Sequence, residues 1–104
     1  MVKKYNKLVR DNIPQIIEST GASCSYRILE EADYLTMLDK KLDEELAEFR
    51  QSGDPEELAD LLEVICGLAE ARGCSWEQLL LLREQKRQKR GGFEKRILSE
   101  EVDE

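Results

Sequence analysis

With 104 residues, 40% of them hydrophobic and 38% charged, the chain is sized for one globular domain with a modest core. It contains no histidine, which excludes Ser-His and Cys-His catalysis, a histidine general base and the common imidazole metal sites. The formal net charge of −7 argues against general nucleic-acid binding. No apolar run is long enough to span a membrane, and Met1-Val2-Lys3-Lys4 opens no signal-peptide core. The three cysteines, Cys24, Cys66 and Cys74, lack metal-site spacing and fit reduced thiols in a cytoplasmic protein.

The charge is segregated. Between Glu30 and Glu63 there are thirteen acidic residues against three basic ones, Lys40, Lys41 and Arg50, whereas Arg83 to Arg96 holds seven basic residues against two acidic. An acidic centre with basic ends folded back on it can hold a metal ion and an anion together, and phosphate esters suit that arrangement. Chemistry on them falls to carboxylates, metal-activated water, lysine or arginine.

Near the beginning, YNKLVRDNIPQIIESTG sets Tyr5, Lys7, Arg10 and Asp11 around Leu8-Val9. Asp11 or Asn12 can cap a short helix through Ile13, Ile16 and Ile17, with Pro14 in its first turn and Gly21 at its close. Lys7 and Arg10 are candidates to grip phosphate, Lys7 as a point charge and Arg10 as a planar fork. Residues 23–29 alternate enough to suggest one short strand or an extended crossover, which needs a partner to be stable.

A long helix is predicted from Glu31 to Gln51 and a second from Pro55 to Arg72, ending at Gly73. Between them Ser52-Gly53-Asp54-Pro55 stops one helix and starts the next: glycine suits a helix end, aspartate can cap, and proline is favoured at the first helical position. The expected product is an antiparallel helical hairpin. Ser75-Trp76-Glu77-Gln78 has the form of a capping box and opens a third long helix through Leu79, Leu80, Leu81 and Leu82. Those leucines cover more than one face, which suits a subunit contact. The helix closes on Lys86 to Arg90, whose cations complement the helix dipole, and Gly91-Gly92 ends it. Phe93, beside those cations, can form an anion-binding lip.

The hairpin carries two carboxylate pairs at helical spacing, Glu45 with Glu48 and Glu57 with Asp60. On a wheel of about 100° per residue with Leu38 at zero, Phe49 falls at about 20°, Leu42 at about 40° and Glu45 at about 340°, inside the apolar stripe. Glu48, at about 280°, lies at the edge of the stripe, and Glu44, at about 240°, points further out. With Leu58 at zero on the second helix, Glu57 at about 260° falls among Ile65, Leu68 and Val64, and Asp60 at about 200° borders them. Carboxylates aimed at a helix-helix seam are costly unless protonated, paired or bound to a cation. Mg²⁺ prefers oxygen ligands and bridges carboxylates to phosphates. The competing account of the same residues is a solvated acidic face, as in most charge runs.

Glu44-Glu45-Leu46-Ala47-Glu48 followed by Glu56-Glu57-Leu58-Ala59-Asp60 resembles the ExxE and ExxD signature of the all-α MazG-like nucleotide pyrophosphohydrolases, which include relatives of phosphoribosyl-ATP pyrophosphohydrolase and the dimeric all-α dUTPases. Tyr5 to Pro14 and Lys89 to Phe93 are similar to flanking blocks of a small, predicted house-cleaning branch of that family. The resemblance covers nearly the whole chain. It implies an all-α helical bundle, a homodimer or homotetramer, that uses Mg²⁺, with Mn²⁺ able to substitute, to hydrolyse a nucleoside triphosphate between its α and β phosphates. The ligands it implies are Glu45, Glu48, Glu57 and Asp60, with Glu44 orienting or deprotonating the attacking water. Lys7, Arg10, Lys86, Lys89 and Arg90 become candidates to hold outer phosphates. Eight residues separate Glu48 from Glu57, fewer than many members have. The alternatives are a non-catalytic acidic interaction module and a scaffold that binds nucleotide without turnover.

Overall fold

In the computed structural model, which describes residues 1–104, the chain forms four α-helices and no strand: α1 (Ile13–Ser19), α2 (Glu31–Ser52), α3 (Pro55–Ala71) and α4 (Trp76–Arg90). The turn between α2 and α3 follows from its residues. Gly53 adopts the left-handed conformation at φ 67°, which favours glycine, and its N–H donates to the Phe49 carbonyl. Asp54 then caps α3 by accepting from the Glu56 N–H, and Pro55 fills the first helical position. At α4 both hydrogen bonds of the capping box form, Gln78 N–H to Ser75 Oγ and Ser75 N–H to the Gln78 side chain. The short α1 has Asn12 at its cap position without a side-chain cap bond.

Helices α2 and α3 form the antiparallel hairpin expected from the sequence. Gly67 of α3 lies against Leu38 and Tyr34 of α2, whereas Glu45 meets Glu57 and Asp60, so positions rise along one helix as they fall along the other. Gly67 permits the close approach: a Cβ there would stand 3.2 Å from Leu38 Cδ2. The segment 23–29 is not helical and pairs with no strand, because the chain contains no second strand to accept it.

Little else is packed. Only Leu38, Val64 and Glu45 are buried. Helix α4 meets α3 over a short stretch, and α1 packs on no other helix. The radius of gyration is 18.3 Å and the longest dimension 61 Å, against about 13 Å of radius for a compact domain of 100 residues. The exposed apolar side chains include Leu58 and Leu62 on α3 and Leu80, Leu81 and Leu82 on α4. The outward faces of α3 and α4 are therefore apolar surfaces that one chain leaves uncovered. No helix is long and apolar enough to cross a membrane.

Candidate metal centre

The hairpin register brings the four predicted ligands into two overlapping groups. One carboxylate oxygen each from Glu44, Glu45 and Glu48 lie within 4.8 Å of one another, and so do oxygens from Glu45, Glu57 and Asp60. Glu45 belongs to both and is the hub. Its position follows from helix phase: it stands two turns from Leu38 on the same face, so packing Leu38 against α3 buries Glu45 as well. Only 6% of Glu45 is exposed, and its Oε2 has no hydrogen-bond partner.

The sequence order of the flanking acids is reversed. Glu44 is partly covered and Glu48 is exposed, whereas the wheel points Glu44 further out. The cause lies outside α2's own periodicity: Lys7 Nζ donates to Glu44 Oε1 at 3.1 Å, and Lys41 Nζ sits 3.4 Å from the same oxygen. On α3 the buried residue is Val64, while Leu58, the reference for the wheel, is 45% exposed. The seam therefore runs along Val64 and Glu57, and Leu58 faces away from it.

Four candidates at the far end are not brought to the cluster. Lys86, Lys89 and Arg90 are exposed and form no ion pair or hydrogen bond with it, and Phe93 is almost wholly exposed. Arg87 pairs instead with Glu94 across the Gly91-Gly92 turn. At the other end both candidates arrive: Lys7 reaches Glu44, and Arg10 Nη2 donates to Asp60 Oδ1 at 2.7 Å. Lys41 is the cation that motif reasoning passed over. It spans Glu44 and Glu45, 3.4 Å from an oxygen of each, and its spacing three and four residues before two glutamates on one helix is the signal that marks it.

The electrostatics sort these acids. Burial pushes the Glu45 carboxyl above the usual range, and the neighbouring Glu48 carboxylate adds to the shift, with Lys41 opposing it. Glu57 is raised by desolvation and then by the charges of Asp60 and Glu45. At Glu44 burial also pushes upward, but the Lys7 hydrogen bond and the Lys41 charge outweigh it and hold the carboxyl below its ordinary value. Away from the cluster, burial and the nearby Glu63 and Glu70 raise the Cys66 thiol, and all three cysteines are free. A raised thiol pKa leaves Cys66 a poor nucleophile.

The donor set fits a hard divalent ion. Every donor is a carboxylate oxygen, the chemistry Mg²⁺ and Mn²⁺ take, and the buried Glu45 Oε2 is an acceptor with nothing to accept from. In a carboxylate cluster without a ligand, such an atom costs free energy that a cation removes.

No family model and no solved structure matches the chain. An uncharacterized protein of Mycolicibacterium smegmatis is 48% identical to it over 44 residues, which is 42% of this chain and 45% of that protein's length. The match spans less than half of either chain.

Proposed function

We propose that the chain is a Mg²⁺-dependent nucleotide pyrophosphohydrolase of MazG-like type, which cleaves a nucleoside triphosphate between its α and β phosphates to give a monophosphate and pyrophosphate. The observation that carries this is Glu45: a buried carboxylate with an unpartnered oxygen, shared between two acid groups, with Lys7 and Arg10 delivered to the same place. A structural acidic face would leave its carboxylates in solvent and would not gather basic side chains from residues 37 and 50 positions away.

Glu45, Glu48, Glu57 and Asp60 would hold the ion, which when bound neutralises phosphate charge and polarises water. Glu44, kept ionised by Lys7 and Lys41 in the ligand-free chain, is suited to align the attacking water; it becomes basic enough to accept the water's proton once Lys7 turns to phosphate. Water adds in line at phosphorus, the bridging P–O bond breaks, and pyrophosphate leaves. Lys7 and Arg10 are suited to grip phosphate oxygens. A house-cleaning role on non-standard nucleotides in the cytoplasm accompanies this activity.

A homodimer or homotetramer is part of the same proposal. Two buried apolar residues are too few to hold a domain of this length, and the leucines along α3 and α4 supply the surface a second copy would cover. Lys86, Lys89, Arg90 and Phe93 could then act only on a site they reach within the assembly.

The test is pyrophosphate release from a panel of nucleoside triphosphates with standard and modified bases, with Mg²⁺ and with chelator, beside Glu45→Gln and Asp60→Asn. Metal-dependent release, lost in both variants while helical signal and oligomer size persist, is expected. Release that persists in both variants defeats the assignment.

A further inference from the structure

Residues 1–12 contain no helix, and their hydrogen bonds to the hairpin are two. Both end on the carboxylate cluster, one on each helix: Lys7 on Glu44 of α2 at 3.1 Å and Arg10 on Asp60 of α3 at 2.7 Å. The strap that carries them lies across the acidic end of the hairpin, and α1, which follows it, packs on no other helix. Both cations are about half exposed, 51% for the Lys7 side chain and 56% for that of Arg10. Exposed pairs of this kind are weak and exchange readily.

The charges of the cluster do not balance. Five carboxylates, Glu44, Glu45, Glu48, Glu57 and Asp60, face three cations, Lys7, Arg10 and Lys41. Two negative charges remain, the complement of one divalent ion. Lys41 belongs to α2 and stays beside its glutamates, whereas Lys7 and Arg10 sit on a non-helical segment whose hydrogen bonds to the hairpin are these two alone. Arg10 moreover occupies an oxygen of Asp60, one of the residues that would hold the ion.

We propose that Lys7 and Arg10 are place-holding cations: they occupy Glu44 and Asp60 in the ligand-free chain, Arg10 yields Asp60 to a divalent ion, the charge of that ion weakens the hold of the cluster on Lys7, and both are released to take phosphate oxygens. The proposal rests on the metal site argued above and adds an exchange that the site alone does not require. It makes Arg10 oppose one ligand and assist the other. A permanent phosphate clamp would assist anion binding without opposing the metal, and an ordinary surface charge would do neither.

The experiment titrates Mn²⁺, followed by its free-ion paramagnetic resonance signal, into the wild-type chain, Arg10→Gln and Lys7→Gln. Arg83→Gln on exposed α4 serves as a control for net charge. Equilibrium dialysis then measures labelled pyrophosphate on the Mn²⁺-loaded proteins. Arg10→Gln is expected to lower the Mn²⁺ Kd about two- to fivefold, the worth of an exposed ion pair, and to raise the pyrophosphate Kd at least as much. Lys7→Gln should move both in the same directions, and Arg83→Gln neither. Unchanged or weaker Mn²⁺ binding in Arg10→Gln, an equal gain in Arg83→Gln, or an unchanged pyrophosphate Kd overturns the exchange. If wild type binds Mn²⁺ and only these differences are missing, the metal site stands and the exchange alone falls; absence of Mn²⁺ binding in wild type and Arg10→Gln alike removes both.

Discussion

Replacing Glu45 by glutamine should stabilise the metal-free protein. The side chain is 6% exposed, and its Oε2 accepts no hydrogen bond; a buried polar group left in that state costs about 1–3 kcal/mol. Glutamine keeps the shape, removes a negative charge from among four carboxylates, and offers an amide that can donate to them. The loss on the other side is the Lys41 contact at 3.4 Å, and Lys41 retains Glu44; because both side chains are largely covered, about 1 kcal/mol, the upper end for an ion pair at a surface, is the size of that term. The net gain expected is about 1 kcal/mol, which moves Tm upward by roughly 4–8 °C in a domain of this size. Thermal unfolding by circular dichroism, at one protein concentration and with chelator present, measures it. Mg²⁺ at a hundred times its Kd adds about 2.7 kcal/mol to whatever binds it, so saturating Mg²⁺ should raise wild type above a variant that gains little, and the order of the two melts reverses. A variant less stable than wild type in chelator, or two proteins that respond equally to Mg²⁺, would refute the assignment of Glu45 as the strained hub of a cation site.

Two further outcomes follow from the same geometry. Because Glu45 and Glu57 have folded-state pKa values raised above the ordinary 4.5, the folded state holds their protons more tightly than the unfolded one. Metal-free stability should therefore fall as pH rises from about 4.5 through those values. Glu44 is lowered, so its contribution is present above 4.5 and lost as pH falls below that value; urea titrations across pH 3.5–7.5 separate the two windows, and saturating Mg²⁺ should reverse the slope of the upper one. Leu62→Lys and Leu81→Lys place charges on exposed apolar faces of α3 and α4, and sedimentation should show smaller species for both; unchanged mass in both would remove these faces from the assembly contact.

The helix boundaries were legible because the sequence punctuates them chemically. Gly53, Asp54 and Pro55 each have one strongly preferred place at a helix end, and Ser75 with Gln78 closes a reciprocal cap, so local chemistry alone sets these ends. The burial of Glu45 was legible for the same local reason, since α2 has one clear apolar stripe. Helix α3 does not. Its apolar residues wrap past the hairpin seam to Leu58 and Leu62, so periodicity could not tell the face that meets α2 from the one left exposed. The wheel points Glu44 further out than Glu48, yet Glu44 is the more covered of the two because its cover includes Lys7, a residue 37 positions away. The meeting of Arg10 with Asp60 across 50 positions lies beyond any pattern in the chain, and residues 23–29 read as extended without any sequence sign that a second strand was missing.

The seam itself explains why site and fold are hard to separate here. Each hairpin helix contributes one buried aliphatic residue, Leu38 or Val64, and seven residues toward the turn a carboxylate on the same face, Glu45 with Leu38 and Glu57 with Val64. Seven residues are about two helical turns, or roughly 10 Å, so antiparallel pairing makes one end of the seam apolar and the other acidic. With so little else buried in the chain, the packing that orders the acids is the packing that holds the helices together, and repulsion among the acids acts directly against it. A cation at the acidic end would therefore do more than fill a site: it would remove the principal electrostatic opposition to closing the hairpin. Metal affinity and hairpin stability should accordingly rise and fall together, and a substitution that loosens the Leu38–Gly67 contact should weaken metal binding from the far end of the seam without touching a ligand.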